Sequence, residues 1–259
     1  MNDFNRRLKS GLYKTADLNA FDICLTTNEN FITTNFNDSS ICLYKKDFSL
    51  VKQVNRLNNS SFKPYSAASN LEENRVYICD HSNNRVFMID SELNYLSVFG
   101  SKCGKQNDQF DCPLGIDYFK NALFICDSRN KRIQKLTNNL TFSSSFSLNY
   151  LPWQIKIGSS LACIRDLLYS NIYFHDVNTF QLKHNYNGHN GFISRINTYF
   201  YEYYYQSRTL YCYDEDGMLH EEIQMNTLND TQFHSWSSIA LIDNQFVWTS
   251  QPSKKLIIF

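Results

Sequence analysis

One internal gap recurs along the whole chain and constrains the fold more than any other feature. A short apolar run ends in a polar residue, and a second apolar run begins six positions later. Asp80 leads to Val86 in NRVYICDHSNNRVFMID (74–90), and Asp127 leads to Ile133 in NALFICDSRNKRIQKL (121–136). The same gap separates Asn35 from Ile41, Asp166 from Ile172, Tyr204 from Leu210 and Ser250 from Leu256. The second runs start at 41, 86, 133, 172, 210 and 256, in steps of 45, 47, 39, 38 and 46 residues. Self-similarity at this period, filling a chain of 259 residues, marks a repeat architecture in which each unit buries its faces against its neighbours.

The units read as strands. Their apolar runs are short, rich in Ile, Val, Phe, Tyr and Leu, and bounded by Asn, Ser and Asp. A further run precedes each hairpin, often after proline, as at Pro64, Pro113 and Pro152, and a fourth follows, as at Tyr95–Gly100. Four strands per 38–47 residues, repeated radially, predict an all-β fold, a six-bladed β-propeller. The whole chain is one domain, with blades at about 18–58, 62–110, 111–149, 150–191, 192–229 and 234–259. The last unit stops one strand short, so the segment at about 5–13 is expected to complete it and close the ring, removing open edges.

Asp80-His-Ser-Asn-Asn-Arg85-Val and Asp127-Ser-Arg-Asn-Lys-Arg132-Ile resemble the NHL repeat, and Phe99-Gly100 with Pro113-Leu-Gly115-Ile is similar to the link between such repeats. The resemblance covers about residues 62–149; elsewhere Ser40, Asn171, Thr209 and Lys255 stand where the repeat arginine would be. The setting it resembles is the C-terminal propeller of TRIM-NHL proteins, in which a RING, B-boxes and a coiled coil precede the propeller. The resemblance implies a protein-binding, substrate-recognition module of the ubiquitin pathway, with RNA binding shown by some members. Ligase activity would need a RING, which this sequence lacks, so a non-catalytic chain is expected.

The chemistry-bearing residues agree with a binding role. Lys plus Arg and Asp plus Glu both number 25, so no global field draws the chain to DNA or a membrane surface. The eight cysteines lack metal-site spacing and mostly sit in apolar runs, as expected of reduced packing residues in a cytoplasmic protein. No metal or other cofactor is expected: Asp80, Asp127 and Asp166 recur once per unit, which suits carboxylates that accept hydrogen bonds in their own turns rather than ligands of one site. A metal-dependent lyase or lactonase would need ligands converging on the axis, and His234 with Asp117 are too few. Trp153, Trp236 and Tyr65 fall at inner-strand starts, as axial packing or as an aromatic contact on the rim.

Charge placement gives the binding candidates. The turns between second and third strands share one face and carry Arg85, Arg129, Lys131, Arg132, Arg208, Lys254 and Lys255 against Asp38, a net +6. The opposite loops hold three lysines against eleven acids, a net −8. Those seven basic residues are the candidate contacts for a protein partner or for single-stranded RNA, on a propeller expected to be monomeric unless fused to a coiled coil.

Overall fold

The computed structural model describes residues 14–17, 20–27, 29–100, 102–188, 191–204, 206–207, 209–224, 235–242, 245–251 and 255–258. For 14–17 and 235–258 it describes the backbone alone. Five four-stranded antiparallel blades follow one another, each a meander of four consecutive strands. Blade 1 comprises Asp22–Leu25, Phe31–Asn35, Ser40–Tyr44 and Leu50–Val54; blade 2, Pro64–Asn70, Arg75–Asp80, Arg85–Asp90 and Tyr95–Gly100; blade 3, Pro113–Phe119, Ala122–Asp127, Arg132–Thr137 and Phe142–Ser147. Blade 4 comprises Pro152–Ile157, Leu161–Asp166, Ile172–Asp176 and Leu182–Tyr186; blade 5, Gly191–Ile196, Tyr199–Tyr204, Thr209–Tyr213 and Leu219–Gln224. The remaining four-stranded sheet is composite: Ser235–Ile242, Gln245–Gln251 and Lys255–Ile258 pair in order, and Lys14–Asp17 lies antiparallel to the last, Lys14 opposite Ile258.

The expectation of six like blades with the ring closed by residues 5–13 is therefore corrected. Five blades are continuous meanders with described side chains, and the sixth sheet is a different, composite object. Residues 5–13 lie outside the described residues. Among the described residues the turn Asp–Arg pair occurs in blades 2 and 3 alone, so the blades are alike in backbone and not in turn chemistry.

Burial falls from the axis outward, which explains the sequence pattern. Second strands are covered on both faces by neighbouring blades, so RVYICD, ALFICD and LACIRD read as nearly unbroken apolar runs. Outer strands face solvent and alternate or turn polar, as in FSSSFS and LVKQV. The cores lie between blades: Ile32, Ile41 and Leu43 of blade 1 meet Val76, Ile78 and Phe87 of blade 2, and equivalent clusters join blades 2 to 3, 3 to 4 and 4 to 5. All eight thiols are free, seven of them buried and Cys103 exposed.

Adjacent inner strands form no ladder with one another; single side chains bridge them instead. Asp22 Oδ2 accepts the Ala67 amide at 3.0 Å, and Ser66 Oγ donates to the Leu114 carbonyl. Asp117 Oδ2 accepts the Ile157 amide at 2.6 Å, and Gln154 Oε1 accepts the Ile193 amide at 3.0 Å. Each blade joint from 1 to 5 thus carries at least one such polar tie. At Gly115 the strands approach so closely that a Cβ would stand 2.7 Å from the Trp153 carbonyl oxygen.

The turns repeat their backbone as well as their length. Between second and third strands, the fourth turn residue is left-handed: Ser39, Asn84, Lys131 and Ser170 have φ of 53°, 53°, 52° and 60°. Between third and fourth strands, Phe48, Leu93, Leu140, Phe180 and Gly217 take the left-handed position, with φ from 56° to 76°. Asparagine fills further left-handed sites at Asn58, Asn59, Asn74, Asn121 and Asn197, as a chain with 30 Asn and 8 Gly requires. Leucine and phenylalanine there are unusual, because a Cβ costs roughly 1–2 kcal/mol in that conformation. Burial offsets the cost: Leu93, Leu140 and Phe180 are each under 9% exposed, wedged beneath the blades.

Candidate functional site

The upper face, which carries the turns between second and third strands, centres on the mouth of the axis. In blades 2, 3 and 4 the inner strand opens with proline opposite the repeat aspartate, as Pro64 with Asp80, Pro113 with Asp127 and Pro152 with Asp166. A register shift follows immediately, and such a bulge re-aims side chains. The bulges present Tyr65 and Trp153 at the mouth, where the Trp153 indole N–H donates to the Tyr65 hydroxyl. Phe21 packs 4.5 Å from Tyr65, Phe192 packs 4.9 Å from Trp153, and Phe21 meets Phe192 edge-on at 6.2 Å. Phe36 and His81 extend the cluster, His81 stacking on Tyr65 at 5.9 Å. These rings form a continuous, partly exposed crown.

Charge surrounds the crown without filling it. Lys63 Nζ lies 5.4 Å from the Phe36 ring centre, and the Arg165 guanidinium lies 5.8 Å from Trp153. Arg165 is fully buried and paired at 3.0 Å with the equally buried Glu202 of blade 5. Burial pushes the Tyr65 hydroxyl up; burial, with the nearby Arg129 charge, holds His81 below its usual value. Below the rings, Asp22, Ser66, Gly115, Gln154 and Lys156 leave a void of only about 20 Å³. A partner at this mouth rests on the rings rather than entering the axis.

The predicted basic residues separate into two groups. Arg85 Nε binds the Asp80 carboxylate at 2.7 Å and its Nη2 binds the Ser61 carbonyl. Arg132 Nε binds Asp127 at 2.6 Å, and its remaining nitrogens donate to the carbonyls of Lys105, Gln106 and Gln109. Arg132 is spent on the turn and the incoming link, and Arg85 is held there through Nε and Nη2, so neither stands free as a surface cation. Arg129 and Lys131 are exposed; Arg129 touches only the fringe of Asp111, at 3.7 Å. Arg208 and Lys254 lie outside the described residues, and Lys255 is placed only by its backbone, opposite Ser250 and Asp17. The +6 count left out the buried carboxylates that precede three of the turns, and of these Asp80 and Asp127 cancel Arg85 and Arg132.

The aspartates of blades 2 and 3 do the same work, and that of blade 4 does another. Asp80 accepts the Lys63 amide, the Asn83 side-chain amide and Arg85. Asp127 accepts the Asp111 amide, Asn130 and Arg132. Asp166 has no arginine and caps its turn through the Leu168 amide at 2.7 Å. Among the described residues no group of three or more His, Cys, Asp or Glu side chains could hold a metal.

Sequence reasoning missed the blade 4 turn. Leu167, Leu168 and Tyr169 are 39%, 64% and 73% exposed where the sister turns read HSNN and SRNK. Beside them a groove of about 290 Å³ is lined by Lys131, Asn149, Tyr150, Leu151 and Tyr173. Three apolar residues in a turn that is polar elsewhere were a readable signal. The crown phenylalanines carried none, because Phe21, Phe36 and Phe192 look like strand-end core.

No family model matches this chain, and no curated protein matches it. Solved structures do match in shape. A catalytically inactive virginiamycin B lyase from Staphylococcus aureus, solved with quinupristin, is 13% identical with a TM-score of 0.68, over 95% of this chain and 84% of that one. The Pan2 WD40 domain of Neurospora crassa is 7% identical with a TM-score of 0.64, over 92% and 88%. The Cps50 (Swd1) β-propeller domain of Myceliophteria thermophila is 8% identical with a TM-score of 0.62, over 96% and 99%. The chain is a β-propeller of all-β class; similarity at these identities fixes the fold alone. The NHL likeness has no support beyond the residues that carry it.

Proposed function

We propose that this propeller is a non-catalytic interaction module that receives a protein partner on its upper face. The observation that carries the reading is the Leu167–Leu168–Tyr169 turn, exposed beside Lys131. A soluble domain that leaves a leucine and a tyrosine this bare in one turn gains nothing from them unless a partner covers them. Aromatic and aliphatic anchors at the centre with basic residues at the rim suit a partner segment that is apolar and flanked by acids. The crown enlarges the same face toward the axis, and its shallow floor favours a surface contact over a reaction chamber. Propellers such as the WD40 domains that share this fold support the class of function without naming the partner.

Single-stranded RNA is the second reading, favoured by the aromatic rings at the mouth with Arg129 and Lys131 nearby, since bases stack on such rings. It loses Arg85 and Arg132. A photo-crosslinker placed at Tyr169, with RNA and protein products read separately, tests both. Protein adducts abolished by Leu168→Asp are the expected result. RNA adducts whose yield falls with salt and with Arg129→Ala/Lys131→Ala would replace the protein reading with the RNA one. Absence of both products would refute the upper face as a binding surface.

A further inference from the structure

The lower end of the axis holds a second site, separate from the upper face. A cavity of about 300 Å³ opens there, and its lining includes the apolar Ile23, Leu25, Ala67, Leu71 and Ile196 and the polar Asp117, Lys156, Arg195 and Asn197. Lys156 also lines the void above, so it stands at the waist of the axis.

Asp117 of this cavity and Asp22 of the void above match Lys156 and Arg195 in number, but their hydrogen bonds are not equally spent. The carboxylates are already used: Asp22 accepts the amides of Ile23 and Ala67 at 2.9 and 3.0 Å, and Asp117 accepts the Ile157 amide at 2.6 Å. The cations are not. Arg195 Nε is buried without a hydrogen-bond partner, and among the described residues neither Arg195 nor Lys156 has a carboxylate within ion-pair distance. Asp22 and Asp117 act on Lys156 only through space. Two cations therefore converge on one half-apolar cavity, and one of them, Arg195, holds a buried donor whose bond is unmade among the described residues. A buried donor left unmade costs free energy, so Arg195 Nε calls for an acceptor from outside those residues.

We infer that the lower axial cavity binds a small carboxylate with an apolar tail, its oxygens meeting Arg195 and Lys156 and its chain lying against Ile23, Leu25, Ala67, Leu71 and Ile196. The guanidinium and ammonium supply charge-assisted donors, and the aliphatic wall excludes a bare inorganic anion from using the whole site. The volume sits at the small end of ligand cavities, which fits an acid of a few carbons rather than a peptide.

Calorimetric titration of the full chain with hexanoate, hexanamide and inorganic phosphate tests the assignment. Hexanoate binds with one-to-one stoichiometry. Hexanamide, identical in shape and uncharged, binds about tenfold more weakly or worse, as loss of a charge-assisted bond requires. Phosphate binds more weakly than hexanoate. Arg195→Gln weakens hexanoate by about tenfold, while Arg129→Gln, on the opposite face, leaves it unchanged. Equal binding of hexanoate and hexanamide, or no hexanoate heat at millimolar concentration, overturns the proposal on the wild-type chain alone. Phosphate binding as tight as hexanoate overturns the apolar half of it, and unchanged affinity in Arg195→Gln overturns the assignment of the head group.

Discussion

Asp127→Ala tests whether the repeat aspartate is structural. The carboxylate is fully buried and holds three partners at once: Arg132 at 2.6 Å, the Asp111 amide at 2.7 Å and Asn130 at 2.8 Å. Removing one member of a buried ion pair costs about 3–5 kcal/mol. Arg132 keeps its three carbonyl partners, so the lower end, about 3 kcal/mol, is expected. For a chain of this size that corresponds to a fall in Tm of roughly 6–12 °C. Urea unfolding of Asp127→Ala, Arg132→Ala and the double variant should show a positive coupling of about 1–3 kcal/mol. Arg132 also suspends the link that carries Lys105, Gln106 and Gln109, so trypsin should cut after Lys105 faster in both single variants. The same change at Asp80 should cost less, because Arg85 is more open and water can take up its freed donors. A loss at Asp127 within about 0.5 kcal/mol, additive with Arg132→Ala, would refute the claim that the pair holds turn and link together.

Three further outcomes follow from the geometry. Leu93→Gly should destabilise no more than Leu93→Ala in urea unfolding, although glycine is the looser residue, because it alone relieves the left-handed backbone at φ 65°. Gly115→Ala should cost about 1–3 kcal/mol, since the new methyl meets backbone of the next inner strand that cannot rotate away. Burial holds His175 below its ordinary 6.5, with Nδ1 facing the Phe180 carbonyl and Nε2 the Tyr150 hydroxyl. The folded chain then binds fewer protons than the unfolded one, so stability is complete above about pH 6.5 and falls as pH drops through the folded value. A urea midpoint measured against pH should lose that acid-side slope in His175→Asn.

The repeat was legible because each unit obeys the same local physics: an apolar run, a left-handed turn and a second apolar run are written in adjacent residues. The blades, their order and the turn aspartates came from that. Asp80 and Asp127 could be paired with Arg85 and Arg132 from spacing alone, yet the consequence for charge was missed, because counting turns without strand ends leaves out the compensating acids. The crown was half visible, in Tyr65 and Trp153. Phe21, Phe36 and Phe192 joined it only through the ring of blades, and contacts between residues of different blades leave no local mark. The polar ties of the inner strands were hidden for the same reason: Asp22 and Ala67 belong to different units, and no spacing links them. Lys156 and Arg195 read as ordinary strand lysine and arginine until the blades faced them inward.

The leucines and phenylalanines that occupy the left-handed turn positions join two duties that most chains assign to different residues. A turn whose bend is also a wedge of core cannot be lengthened, because an inserted residue would withdraw the wedge from beneath its blade. The left-handed positions of the described turns between second and third strands, Ser39, Asn84, Lys131 and Ser170, carry no such wedge. Insertions and new side chains can accumulate there at little cost, as the leucine–leucine–tyrosine of blade 4 illustrates. Descendants of this chain should therefore diverge in length on one face and stay fixed on the other, with new recognition arising where the scaffold is free to change.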